Sequence, residues 1–288
     1  MSKVKKVLLT ILAALIGVLL LFCAAFYVFF DVPDWQKLDI SKLSALAQTS
    51  SMYDMNGELM SELRGSENRI IVSLDEIPLH TRQAFIAAED LRFYDHRGID
   101  VYRILGALRS NLKSGSLAEG ASTITQQLAK LTHLSAEKTI RRKLEEINLA
   151  FQIEKVYNKD EILAMYLNTV YFGRGAYGIQ AAAQAYFGVD AEELTLNQSA
   201  SLAAIIKAPS IYAPHISPSN NRSRRQYILS VMAENGFISQ EEKQAALDES
   251  IWVLAQEAEK QLYSWYIDEA LRESAELLGL SFFFYYKG

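Results

Sequence analysis

The chain has 288 residues, half of them hydrophobic, with 29 basic side chains against 34 acidic ones and a formal charge of −5. That length suits one catalytic-sized domain with a small appendage, and a single cysteine excludes an intrachain disulfide or a cysteine-based metal cluster. Without Lys3, Lys5 and Lys6 the charge falls to −8, a balance that argues against a nucleic-acid partner.

The first expected element is a membrane span. Of the 24 residues from Val7 to Phe30, 22 are hydrophobic. A helix rising about 1.5 Å per residue carries them about 36 Å, against a hydrocarbon core of about 30 Å. Three lysines before the run and Asp31 after it place the N-terminus in the cytoplasm and the rest of the chain outside. The run is longer than a signal-peptide core and leaves through Phe29, Phe30 and Asp31, so it reads as an uncleaved anchor in which Cys23 is an embedded apolar residue.

Pro33 to Leu46 reads as a connector, and Ser51 to Leu63 sets Asn56-Gly57 between short apolar runs, the pattern of a β-hairpin to which Arg69 to Val72 offers a further strand. Beyond Leu79 the periodicity is helical. Val101, Ile104, Leu105, Leu108 and Leu112 make one stripe, which suits either a core-facing helix or one lying in a membrane surface. Ile140, Leu144, Ile147 and Phe151 make another. Gln180 to Phe187 and Gln198 to Ala208 are alanine-rich helices, Ser217 to Asn221 a polar loop, and Arg222 to Glu234 and Glu241 to Glu276 charged helices. Five aromatics from Phe282 to Tyr286 then mark either a truncated or remodelled end or a contact surface.

Three blocks carry candidate chemistry. Glu89 and Asp90 follow the apolar run Ala84 to Ala88 and precede Phe93, Tyr94 and His96, a setting that desolvates a carboxylate and raises its pKa; alternatively both acids cap a helix or pair with Arg92. Gly120 to Lys130 strings Ser122, Thr123, Gln126, Gln127 and Lys130 together, donors suited to a polyhydroxy or pyrophosphate group or, equally, to a capped helix start. From Lys138 to Glu146, helical spacing puts Glu146 beside Arg142 and Lys143, as surface salt bridges or as a charged site. Two separated glutamates with nearby cations fit glycosyl chemistry on an anionic leaving group. The G-x-G-x-x-G of Gly173 to Gly178 lacks a surrounding βαβ unit. Ser135-Ala136-Glu137-Lys138 and Lys113-Ser114-Gly115 are in the wrong order for a penicillin-sensitive serine site, and His80, His96, His133 and His215 have no i+4 partners for zinc.

In this order the blocks resemble the peptidoglycan glycosyltransferase domain, glycosyltransferase family 51, of class A penicillin-binding proteins and monofunctional transglycosylases. The resemblance covers about Tyr53 to Leu247 and rests on Glu89-Asp90 through Phe93, His96 and Gly98; on Gly120 through Lys130; on Arg142-Lys143 with Glu146; on Lys159 through Leu163 with Tyr166-Leu167-Asn168; and on Arg224-Arg225 with Ile228-Leu229. The Tyr171 to Ile179 stretch is similar to the family's Tyr-Phe-Gly loop.

What the resemblance implies is a mainly α, lysozyme-like domain over 31–250, with a small N-terminal β-hairpin and a membrane-associated jaw near 99–120, behind a transmembrane anchor at 1–30. A linker-like tail over 251–288 follows, with the transpeptidase domain absent. Glu89 becomes the base that activates the acceptor 4-hydroxyl of lipid II. Glu146 lies near the leaving undecaprenyl pyrophosphate, whose charge Lys130, Lys138 and Arg142 neutralise, with Mg²⁺ or another divalent cation as a helper and no organic cofactor. Asp90, Arg92, His96, Ser122, Thr123, Gln126, Gln127, Lys143, Asn168, Arg224 and Arg225 complete the expected substrate-binding set. The implied partners are lipid II, the nascent glycan strand, the bilayer and other cell-wall synthesis proteins. Leu91, Leu131 and Ala164 depart from the family pattern, in positions that bear on donor affinity. Two other readings stay open: a lysozyme-like lytic enzyme that cleaves finished glycan, and an inactive membrane-anchored scaffold.

Overall fold

A computed structural model describes residues 3–30, 37–44, 50–53, 59–63, 68–114, 122–134, 139–255 and 272–273. Helix α1 (Lys3–Phe30) spans 28 residues and contains the expected anchor. Its described side chains are continuous only from Leu12 to Cys23, about 18 Å of helix. Among the described residues no helix is long and apolar enough to cross a membrane.

After the short α2 (Ile40–Ser44), β1 (Ser50–Tyr53) and β2 (Leu59–Leu63) pair antiparallel, Ser50 opposite Leu63, with an irregular register between Met52 and Tyr53. The Asn56-Gly57 turn lies outside the described residues. β3 (Asn68–Arg69) does not extend this pair: it runs parallel to β4 (Ala176–Tyr177), far along the chain, so the strand expected near Arg69 is used to close the helical domain.

That domain comprises α3 (Leu79–Glu89), α4 (Val101–Ser114), α5 (Ile124–His133), α6 (Ile140–Val156), α7 (Lys159–Thr169), α8 (Ile179–Phe187), α9 (Leu196–Ile205), α10 (Pro209–Tyr212), α11 (Pro218–Glu234) and α12 (Gln240–Asp248). Ala200, Leu202, Ala203 and Ala204 of α9 have no exposed surface, and these mostly small side chains let α3 and α11 close on it. Its buried hydroxyls are paired: Ser199 Oγ lies 2.8 Å from Thr81 Oγ1, and Ser201 Oγ donates to Asn221 Oδ1 at 2.9 Å. A second group packs α5 against α6 and α7 around Leu128, Leu149, Ile153, Ile162 and Leu163. Full burial of one such side chain contributes about 1.5–3 kcal/mol. Capping boxes start α5 (Thr123 with Gln126), α7 (Asn158 with Glu161), α9 (Thr195 with Gln198) and α12 (Ser239 with Glu242).

Two expectations are corrected. Ser217 to Asn221 is not a loop: Ser217 caps α11 and Pro218 occupies its first turn, where its missing N–H costs nothing. The charged helix expected over Glu241 to Glu276 stops at Asp248. Leu254 N then donates to Tyr186 O at 2.9 Å, and the Leu254 side chain fills the space beside Gly188, where a Cβ would lie 3.1 Å from it. Residues 272–273 are helical, and the aromatic run from Phe282 lies outside the described residues. The G-x-G-x-x-G has a packing role as well: Gly178, at φ +84, starts α8 so close to α7 that a Cβ would sit 2.8 Å from Asn168 O.

Candidate active site

Glu89 ends α3, where carbonyl groups lack intrahelical partners. Its own carbonyl accepts a hydrogen bond from Arg103 Nη1 on α4, a cation placed at the negative end of the helix. The side chain keeps 15% exposure, and Arg224 Nη2 on α11 stands 3.9 Å from its Oε1. Gln127 Nε2 on α5 donates to Oε2 at 2.7 Å, while Tyr166 OH on α7 donates to Gln127 Oε1 at 3.2 Å. Burial pushes the Glu89 pKa above its ordinary 4.5, and the Gln127 hydrogen bond with the charges of Arg224, Arg103 and Lys207 offsets only part of that rise. Once ionised, such a carboxylate is a stronger base than a solvated one.

Glu146 differs in both burial and company. It is 3% exposed on α6, with Arg142 Nη1 at 3.1 Å from Oε2 and Lys143 Nζ in contact with Oε1. These are the i,i+4 and i,i+3 pairs that helical spacing allows, formed against a buried acid rather than on open surface. A polar chain joins the two glutamates. Lys143 Nζ donates to Ser122 Oγ at 2.9 Å, and Arg103 Nη1 lies 3.5 Å from Ser122 O while it also holds Glu89 O.

The structure therefore gathers Glu89, Gln127, Arg224, Ser122, Arg142, Lys143 and Glu146 from the expected set. Others are engaged elsewhere. Asp90 is 1% exposed, accepts from Ile124 N at the start of α5 at 3.0 Å, and lies 2.9 Å from His96 Nε2. Thr123 donates to Gly98 O at 2.6 Å, and Gln126 accepts from Thr123 N at 2.9 Å in the α5 cap. Asn168 clamps Val72 from both sides, with Nδ2 to Val72 O at 2.9 Å and Val72 N to Oδ1 at 3.0 Å. Arg92 lies 3.7 Å from Asp100 and 4.5 Å above the Tyr102 ring, Lys130 is exposed, and Lys138 lies outside the described residues. Arg225 is 8% exposed and faces Arg222 and Glu249 instead of Glu89.

Sequence reasoning missed Arg103, Lys207 and the role of Tyr166. Arg103 stands off the apolar stripe of α4, as any solvated arginine would, and only the approach of α4 to the end of α3 gives it a partner. Glu146 is met by two cations, and among the described residues no group of three His, Cys, Asp or Glu could hold a metal. A separate cavity of about 590 Å³, lined by Leu74, Arg82, Tyr94, Lys159 and Asp160 among others, includes neither glutamate.

On α4, Val101, Tyr102 and Leu105 are exposed, at 54%, 72% and 59%. Val101 and Leu105 stand outside the buried core cluster, while the Tyr102 ring lies under the Arg92 guanidinium.

The chain is similar to penicillin-binding protein 1A/1B of Bacillus subtilis, with 46% identity over 254 residues, 85% of this chain and 28% of that protein. It is also similar to penicillin-binding protein 1F of Bacillus subtilis, with 40% identity over 95% of this chain and 37% of that one. The crystal structure of penicillin-binding protein 1A from Haemophilus influenzae superposes with a TM-score of 0.45 at 27% identity, over 81% of this chain and 25% of that one. The chain thus spans well under half the length of these relatives. The sequence profile described as Transglycosylase matches residues 56–233, and the chain belongs to that family.

Proposed function

We propose that this chain is a peptidoglycan glycosyltransferase. It polymerises lipid II from a single-pass anchor in the bacterial cytoplasmic membrane, with its N-terminus inside and its catalytic domain outside. The observation that carries this reading is Glu89, a base raised by burial, joined through Arg103, Ser122 and Lys143 to a second glutamate bearing two cations.

Glu89 takes the proton from the 4-hydroxyl of the acceptor lipid II as that oxygen attacks the anomeric carbon of the growing strand. The bond to undecaprenyl pyrophosphate breaks, and attack from the opposite face turns an α linkage into a β one. Lys143 and Arg142, fixed by Glu146, face the negative charge that grows on the leaving pyrophosphate, and the family resemblance assigns Lys130 and Lys138 to the same charge. A divalent cation is the helper that the family resemblance implies, but no described residue set supports one. Because both substrates carry lipid tails, the anchor and the exposed apolar residues of α4 serve the same end, holding the cleft at the bilayer. Other cell-wall synthesis proteins are proposed partners at this surface.

The test is the purified chain with lipid II in detergent: glycan polymer should form, and Glu89→Gln should abolish it. Release of fragments from purified sacculus without polymer would replace this reading with a lytic one, and neither activity would leave the scaffold.

A further inference from the structure

We propose that Tyr166 and Gln127 are positioning residues that hold Glu89 in one orientation, so that its Oε1 is the atom that receives the acceptor's proton. The proposal deepens the reading of Glu89 as the base and rests on it.

The argument starts from the asymmetry of an amide. Gln127 has a donor end and an acceptor end, and the end that meets the Glu89 carboxylate at 2.7 Å must be Nε2, because Oε1 there would set two acceptors against each other. Its Oε1 then needs a donor on the far side, which Tyr166 OH supplies at 3.2 Å. Tyr166 has no exposed surface. Burial, with the negative charges of Glu89 and Asp90, keeps its pKa well above 10, so the hydroxyl retains its proton wherever the enzyme works. A flip of the amide would set its oxygen against the Glu89 carboxylate and take from the Tyr166 hydroxyl proton its one acceptor among the described residues, so the tyrosine and the carboxylate together fix the glutamine, and the glutamine fixes the carboxylate.

The two Glu89 oxygens are thereby made different. Oε2 is engaged by Gln127, whereas Oε1 faces Arg224 at 3.9 Å, too far for a hydrogen bond. Oε1 is left to take the proton as the acceptor O–H bond breaks and the new C–O bond forms. The groups facing Glu89 from the packed elements are Arg103 on α4, Gln127 on α5, Tyr166 on α7, Lys207 after α9 and Arg224 on α11, with Asp90 next in the chain.

Tyr166→Phe removes only the hydroxyl. The expected result is a kcat about tenfold lower with KM within about twofold, because a weakened hydrogen bond to a charged group blurs the orientation of the base without removing a substrate contact. The acid limb of the pH profile should move to higher pH, since the Gln127 bond favours ionised Glu89. Gln127→Ala should show the same shift at least as strongly, and the double variant should be no worse than Gln127→Ala alone. An unchanged kcat and acid limb in Tyr166→Phe, or effects that multiply in the double variant, overturn the relay. If Tyr166→Phe fails to fold, Gln127→Met must show the shifted limb, or the relay is rejected. Polymerisation by Glu89→Gln would instead sink the assignment of the base, so the two failures are distinguishable.

Discussion

Two glutamates of one site have been given opposite surroundings. Glu89 sits at the end of α3 with one amide donor on its carboxylate and an arginine at 3.9 Å, and burial raises its pKa. Glu146 lies in mid-α6, almost without exposure, with a guanidinium and an ammonium directly on its two oxygens. The lesson is that charge near a carboxylate determines its task. An acid underpaired in a half-buried niche retains an appetite for protons. An acid met by two cations serves instead to hold those cations where an anion will arrive.

Identical substitutions should therefore have unlike consequences. Glu89→Gln should lower polymerisation by about 10²–10⁴-fold, the range expected for loss of a general base. The same change should stabilise the fold by roughly 1 kcal/mol, since it removes an ionised group that the site desolvates without full compensation. Glu146→Gln should cost less activity, about ten- to hundredfold, because the cations remain but lose their anchor. It should destabilise by about 1–3 kcal/mol, a buried pair being broken on one side with Lys143 partly solvated. Thermal midpoints of the two variants, measured beside the parent, test the opposite signs, and a fall in both would remove the distinction.

The pH dependence sharpens the same contrast. Because the folded pKa of Glu89 lies above its ordinary 4.5, the folded state binds this proton more tightly than the unfolded chain does. The stability linked to it is present at low pH and is lost as pH rises through the folded value. The midpoint gap between Glu89→Gln and the parent should thus be widest near neutral pH and close as the pH falls towards that range. Activity should fall in the same window, when the base becomes protonated. A gap that widens on acidification would contradict the raised pKa.

Much of this was legible in the sequence, for physical reasons that differ from region to region. The capped start of α5 was legible because Thr123 and Gln126 lie three residues apart, and the pairing of Glu146 with Arg142 and Lys143 followed from the same local geometry. Local rules also misled: Ser217 to Asn221 looked like a loop through its polarity, although Ser-Pro is equally a helix start. What the sequence could not disclose were contacts made by folding distant segments together. Arg103 reaches the end of α3 and Leu254 pairs with Tyr186 only once the helices are packed. Asp90 and Asn168 were read as substrate ligands, but their hydrogen bonds run to Ile124 and Val72, partners far off in the chain. Asn168→Ala tests that difference. It should lower stability by about 1–3 kcal/mol through the unmet groups of Val72, with activity falling only in proportion to the folded fraction. A raised KM in fully folded Asn168→Ala would return the residue to the substrate site.

The smallest effect is expected at Arg225, and it bears on how far a motif can be trusted. Arg224 and Arg225 are adjacent on α11, yet one residue of helix turns a side chain by about 100°. Arg224 faces Glu89 from that helix, whereas Arg225 faces Arg222 and Glu249, where burial holds its pKa below the ordinary arginine value. Arg224→Gln should accordingly move the acid limb of the pH profile to higher pH, because one of the positive charges that favour ionised Glu89 is gone. Arg225→Gln should leave both kcat/KM and the acid limb within about twofold of the parent, since it removes no charge that Glu89 senses. Equal effects at the two positions would mean that both arginines meet the substrate, and α11 would then have to present a wider face to the cleft than its contacts with α3 and α9 leave open.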